Sequence, residues 1–311
     1  MLRKFKYQDI TWIDLEAPTK EEIEVLAKDF NLHALVAGEL RSPSARSKVD
    51  VYQDYFYLIL HFPLCQICRV PGVADQQDYG TQEVDFVIGH NFLITTHYEA
   101  IDPLHELSKI FELEATWERS KNGKIHPGII FFKILKELYR SLETGLDYIN
   151  DRLKKAEGRI FSGEEKPMVK VLSEINRDLL DCRWALKSHR EVLGSLELSG
   201  EEFFGEKFRY YLRSILGQYE KIWQMIESNR ETFQDLRETN ESLLSIKTNE
   251  TMKTLTVVAF IFFPLTLIGQ IFGMNTHLPF VGGPYDFYIV VVIMIAVLAV
   301  MWQIAKNKRW L

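Results

Sequence analysis

The chain has 311 residues, of which 47% are hydrophobic and 26% charged, and a formal net charge of −6. That length suits about two domains, and the acidic balance argues against a nucleic-acid binder. Three cysteines are too few for a disulfide framework. The start, MLRKFKYQDITWIDL, is basic but has no apolar run behind it, so no secretory signal is expected. Charge is distributed unevenly: positions 254–305 contain no Lys, Arg or Glu and a single Asp, Asp286.

Positions 1–125 read as an α/β or α+β domain with a mainly antiparallel sheet, expected to be cytosolic. ITWIDL (10–15) alternates and is rich in β-formers. PTKEEIEVLAKDF follows, with Thr19 and Glu22 spaced as a capping box that opens a helix. YFYLILHF (55–62) is a buried-type strand, and VDFVIGHNFLITTHY (84–98) is two strands around a turn at Gly89, His90 and Asn91. Cys65 and Cys68 form a C-x-x-C without a second ligand pair, which reads as two reduced thiols at a strand end.

Positions 126–250 read as a helical hairpin followed by a stalk helix, all cytosolic. Helix formers fill 128–160, 166–196 and everything from 201 onward, with breaks at FSGEEKP and ELSGEEF. In the third helix Leu212, Ile215, Tyr219, Ile222, Ile226, Asn229, Phe233, Leu236, Asn240 and Leu243 step by three and four. This heptad-like seam predicts lengthwise packing on partners, with Asn229 and Asn240 setting register and oligomer state, and it offers a way to assemble several copies. No Pro and one Gly, Gly217, occur between 208 and 263, so the helix is expected to run unbroken into the apolar stretch. From 201 to 273 that is roughly 110 Å at about 1.5 Å per residue.

Positions 251–311 read as a two-helix transmembrane hairpin. TLTVVAFIFFPLTLIGQIFG (254–273) has the length of a bilayer span, and FYIVVVIMIAVLAVMWQIA (287–305) nearly matches it. Lys247 and Lys253 precede the first span, Lys306, Lys308 and Arg309 follow the second, and the connecting loop has no Lys or Arg. The positive-inside rule therefore places both termini in the cytoplasm, in the cell (inner) membrane, with Trp302 and Trp310 at the inner interface. Asn249, Met252, Thr256, Ala259, Phe263, Thr266 and Gln270 fall within about 60° of one line on the first span. Val257, Val258, Ile261, Leu265 and Ile268 make the other side wholly apolar. An amide such as Gln270 is costly in lipid, so the polar stripe is expected to face an axis and the apolar side to face lipid or the second span. The hydroxyls of Thr256 and Thr266 can alternatively bond back to their own helix, and Pro264 is expected to bend the span. One hairpin cannot enclose a pore, whereas several copies can.

NETMKTLTVVAFIFFPLTLIGQIFGMN (249–275) resembles the pore helix of the CorA family of divalent metal ion (magnesium/cobalt) transporters. Gly273, Met274 and Asn275 match the family's signature tripeptide, and the chain closes on the basic KNKRWL after its last span. WIDLEAPTKEEIEVLAKDFNLH and NFLITTHYE are similar, more loosely, to the family's cytosolic domain. The resemblance implies a funnel-shaped homopentamer: an α/β cytosolic domain, a long helical stalk and a two-helix transmembrane hairpin forming an ion channel. It implies that Gly273 and Met274 shape a turn at the outer mouth and that Asn275 meets a still-hydrated ion, since Mg²⁺ surrenders water reluctantly. It puts Asn249, Met252, Leu255, Phe263 and Thr266 at pore positions, with Met252, Leu255 and Phe263 as an apolar constriction. It puts Glu238 at a cytosolic sensor for Mg²⁺.

The expected function is divalent cation transport, Mg²⁺ first and Co²⁺ or Ni²⁺ beside it, driven by the membrane potential and gated by cytosolic divalent ions. The loop THLPFVGGPYD (276–286) departs from the acidic loop of many Mg²⁺-carrying members, and Phe263 and Phe272 replace a Met and a Tyr. His277 in that loop suits Zn²⁺ or Ni²⁺. These departures keep a proton-coupled Zn²⁺ transporter of the ZntB branch as the alternative. A membrane-anchored metal sensor or scaffold that moves nothing is the second alternative. No nucleophile motif, metal-hydrolase spacing or phosphate-binding glycine loop is present, so neither an enzyme nor a nucleotide partner is expected.

Overall fold

The computed structural model describes residues 2–7, 9–63, 81–99, 101, 103–105, 108, 109, 126–274 and 285–308. Cys65, Cys68, Asn275, His277, Arg309 and Trp310 lie outside the described residues. The chain divides into two compact units, Met1–Arg237 and Glu238–Leu311.

The first unit is built on a six-stranded sheet. Its strands are β1 (Leu2–Tyr7), β2 (Ile10–Glu16), β3 (Lys48–Val51), β4 (Tyr55–Pro63), β5 (Thr81–Gly89) and β6 (Phe92–His97), in the order β1-β2-β6-β5-β4-β3. Only β2 and β6 pair in parallel; every other pair is antiparallel. Helices α1 (Lys20–Asp29) and α2 (Ala34–Glu39) cover one face. There Ile23, Leu26, Val36 and Leu40 meet Ile13, Leu15, Ile59, Val87 and Ile94. Alternation sends Phe56, Phe62 and Phe86 to the other face, against Phe203 and Phe204, Tyr139, and Phe131 respectively. Both faces are covered, which is why β4 reads as one continuous apolar run. The capping box opens α1 as expected: Glu22 N–H donates to Thr19 Oγ1 at 3.3 Å and Thr19 N–H to Glu22 Oε2 at 2.9 Å.

Four further helices follow: α3 (Pro127–Phe161), α4 (Glu165–Leu186), α5 (His189–Phe204) and α6 (Glu206–Phe272). A short turn through Ser162 and Gly163 (φ 96°) joins α3 to α4, closed by the Arg159–Glu164 pair at 2.6 Å. Arg152 of α3 reaches Asp178 at 2.9 Å and Glu174 at 3.4 Å on α4, as an antiparallel hairpin requires.

Two expectations are corrected here. The single helix expected over 166–196 is cut at Lys187 and Ser188, and ELSGEEF is no break. His189 is fully buried, its ring tied to Tyr139 Oη at 2.8 Å and to the His61 carbonyl at 2.8 Å. That anchor restarts the helix, and the chain stays helical through Gly200, which packs near Leu212 and Phe208. The break falls at Gly205, whose φ of 85° few side chains tolerate. The stalk helix therefore starts at Glu206, not Glu201, and its 67 residues make about 100 Å of helix.

The second correction concerns the seam. Leu212, Ile215, Tyr219, Ile222, Ile226, Asn229, Phe233, Leu236 and Asn240 are all buried within one chain, and Leu243 is half-buried. The Asn229 amide donates to the Leu146 carbonyl of α3 at 3.1 Å, and Arg183 and Arg190 pair with Glu227 and Glu220. The stretch of the seam in the first unit is thus occupied by the chain's own helices rather than left for other copies. A heptad pattern records that a face is buried and does not say by which chain.

The second unit holds the end of α6, unbroken through Pro264, and α7 (Asp286–Asn307). Both helices are long and apolar enough to cross a membrane.

Candidate functional site

The two spans touch on one side only. Val257 and Ile261 of α6 are buried against Ala305 and Met301 of α7. On α6 these residues lie roughly opposite the polar stripe, at about 100° per residue. Asn249, Met252, Thr256, Ala259, Phe263, Thr266 and Gln270 are all exposed, as is Leu255, and Phe263 is 74% exposed. The chain thus leaves uncovered the face that carries its two amides, Asn249 and Gln270.

The threonines on that face have a fixed chemistry. Thr256 Oγ1 donates to the Met252 carbonyl at 2.8 Å and Thr266 Oγ1 to the Phe262 carbonyl at 3.0 Å. With the proton held on its own helix, each oxygen presents only lone pairs outward. The back-bond anticipated for these two hydroxyls is therefore present, and it leaves their oxygens as uncharged acceptors beside the carboxamides of Asn249 and Gln270.

Gly273 ends α6. Its N–H donates to the Gly269 carbonyl at 2.9 Å, and a Cβ there would sit 3.0 Å from that same oxygen. A side chain at the glycine that opens the signature tripeptide would therefore crowd the Gly269 carbonyl. Met274 follows, 57% exposed. Glu238 lies exposed on α6 at the start of the second unit, with Asp235 and Glu241 exposed nearby in sequence.

Sequence reasoning missed a second polar cluster, in the first unit. Alternation along β5 brings Glu83 and Asp85 to the sheet face under α2, beside His61 and Tyr57 of β4. Asp85 is 1% exposed and neither of its oxygens has a donor in reach. Burial first, and the Glu83 carboxylate second, hold the Asp85 carboxyl well above its usual range, which favours its protonated form. Glu83 accepts from Ser44 N–H at 2.5 Å and lies 3.5 Å from His61 Nε2, which raises the imidazole's pKa. At the rim Lys48 bridges Glu39 and Asp50 at 2.7 Å each. Burial disfavours its charge, yet those carboxylates hold the ammonium's pKa up. The signal was present in TQEVDFV, where two carboxylates share the face of a strand otherwise built of Val and Phe. On the opposite face His189 is held neutral, its pKa pushed down to about 3 chiefly by burial.

An α/β domain continuing through one uninterrupted helix into a span, with a second span after it, defines a membrane protein anchored by a C-terminal hairpin. The model of the CorA-like Mg²⁺ transporter protein family matches residues 7–306. The chain belongs to that family, and so to the membrane transporters of divalent metal ions, with its α/β domain on the cytoplasmic side. The cobalt/magnesium transport protein CorA of Thermotoga maritima is 23% identical over 306 residues, covering 97% of this chain and 89% of its own length. The protein of the same name from Methanocaldococcus jannaschii is 24% identical over 316 residues, covering 100% of this chain and 95% of its own. The complete structure of the CorA magnesium transporter from that archaeon superposes with a TM-score of 0.80 at 23% identity, over 99% of this chain and 93% of that one. The full-length CmaX protein superposes with a TM-score of 0.72 at 16% identity, over 97% and 89%. The expected fold, an α/β domain, a long helix and two C-terminal apolar helices, is the one these structures share.

Proposed function

We propose that this chain is the subunit of a homopentameric channel that admits hydrated Mg²⁺, with Co²⁺ and Ni²⁺ as further cargo. The observation that carries the reading is the uncovered stripe on α6 and the orientation of its hydroxyls. Within the span, a face with the Gln270 amide and two acceptor-only oxygens cannot rest against acyl chains without cost, and turning it inward in a ring of copies covers it. Lone pairs aimed at the lumen accept hydrogen bonds from a cation's hydration water and offer an anion nothing. Met252, Leu255 and Phe263 supply an apolar constriction that gates by dewetting. Beyond Gly273 and Met274, Asn275 presents a carboxamide to the incoming hydrated ion, which binds it without stripping the waters. Glu238 provides one carboxylate of a cytosolic regulatory site for the same ion.

An inside-negative potential favours a divalent ion by about 4.6 kcal/mol per 100 mV, at about 2.3 per charge, so no nucleotide is required. The test is flux into vesicles loaded with an indicator dye. A potential alone should drive Mg²⁺ uptake, a pH gradient alone should not, and Asn275→Ala should abolish uptake while the pentamer survives. Flux that follows the pH gradient and prefers Zn²⁺ would establish the proton-coupled alternative. No flux of any divalent ion would leave a sensor or scaffold.

A further inference from the structure

Where the two spans part company, they leave a groove of about 980 Å³. Glu250, Lys253, Thr254, Trp302 and Gln303 line one end, and Val258, Ile261, Phe262, Ile295 and Leu298 line the rest. We infer that this groove binds one anionic phospholipid of the cytoplasmic leaflet, its acyl chains between the spans and its phosphate at Lys253.

Three observations select that occupant. The first is polarity: the groove runs from a charged and hydrogen-bonding end to a purely aliphatic and aromatic one, the gradient of a lipid from headgroup to tail. The second is length. On α6 the lining extends from Glu250 to Phe262, which is about 18 Å at about 1.5 Å per residue. One leaflet of hydrocarbon is about 15 Å deep, half of the ~30 Å core, so the groove spans one leaflet and stops near the midplane. The third is charge. Lys247, Lys253, Lys306 and Lys308 stand at the cytoplasmic ends of the spans against one carboxylate, Glu250. This cationic collar complements the anionic lipids of the inner leaflet. The groove lies on the side of α6 away from the polar stripe, so its filling does not compete with a lumen. Its walls are open in the chain: Val258, Phe262, Ile295 and Leu298 are all exposed. The inference holds whichever ion is carried.

The test uses full-length protein reconstituted in equal phosphatidylglycerol and phosphatidylethanolamine, extracted into detergent and weighed intact by native mass spectrometry. The wild type should retain one phosphatidylglycerol per subunit. Ala299→Phe and Leu298→Trp each fill the groove and should lower retention at least tenfold with the oligomer mass unchanged. Lys253→Gln should keep a lipid and lower the preference for phosphatidylglycerol about fivefold, the worth of one basic residue near a charged surface. Three results overturn the inference: a wild type that retains no lipid, one that retains both lipids alike, or filled variants that retain as much as the wild type. So does a disulfide between copies carrying Val258→Cys and Ala299→Cys separately, since a second chain would then occupy the groove.

Discussion

Replacing Asp85 by Asn removes a titratable group from the centre of the sheet and keeps its shape, and the amide can still donate to Glu83. Burial and Glu83 raise the Asp85 pKa in the fold, whereas the unfolded chain titrates near 3.9. A carboxyl raised on folding stabilises fully below its unfolded pKa, and that contribution is lost as pH climbs toward the folded one. Between the two values the fold holds one proton more than the unfolded chain, so stability falls by about 1.4 kcal/mol per pH unit. Across that window the wild type should lose stability relative to Asp85→Asn as pH rises, at no more than that slope. Asp85 is almost wholly buried, so no discount for solvent screening applies. The assay is guanidinium unfolding of the full-length protein in detergent, followed by far-UV circular dichroism at pH 5, 6 and 7. The difference between variant and wild type cancels the titrating groups that do not interact with Asp85 and leaves the response of Asp85 together with its neighbour Glu83. Parallel curves for the two proteins would refute the claim that Asp85 is protonated in the fold.

His189 acts with the opposite sign. Its pKa near 3 lies below the ordinary 6.5, so its contribution is present above 6.5 and lost on acidification. About 2 kcal/mol should go between pH 6.5 and 5, and His189→Gln, measured in the same unfolding assay, should flatten that limb. Gly205→Ala forces a side chain into φ 85°, ψ 165°, a region essentially reserved for glycine, and should cost about 1–3 kcal/mol by denaturant titration. Gly273→Ala sets a Cβ 3.0 Å from the Gly269 carbonyl oxygen, which must give by a few tenths of an ångström, and should lower vesicle uptake severalfold with membrane insertion unchanged. Thr266→Val removes the outward lone pairs and frees the Phe262 carbonyl, and uptake should fall about tenfold if the hydroxyl meets hydration water (about 1.4 kcal/mol at the barrier).

The spans were legible in the sequence because a bilayer imposes a length and an absence of charge that no other setting demands. The division of the first span into faces was legible for the same reason, and Val257 and Ile261 do meet the second span. Helix ends were harder. Gly200 and Gly205 look alike as letters, and only the second adopts a positive φ. The cut before His189 depends on Tyr139 and His61, both far away in sequence. The seam of α6 was read correctly as buried, but the identity of the neighbour is a property of the fold. The carboxylates of β5 escaped notice because their significance lies in the strands beside them, where His61 and Tyr57 arrive from β4.

Among the described side chains of α7, Ala305 alone is fully buried. Met301 packs beside it at the contact with Val257 and Ile261, while most of the remaining side chains of the helix are exposed. The contact that holds the hairpin closed is therefore narrow, and a larger residue at Ala305 would wedge the spans apart. Random mutagenesis should leave a small residue standing at 305, while positions away from that contact and from the groove, such as Val292, interchange among aliphatics.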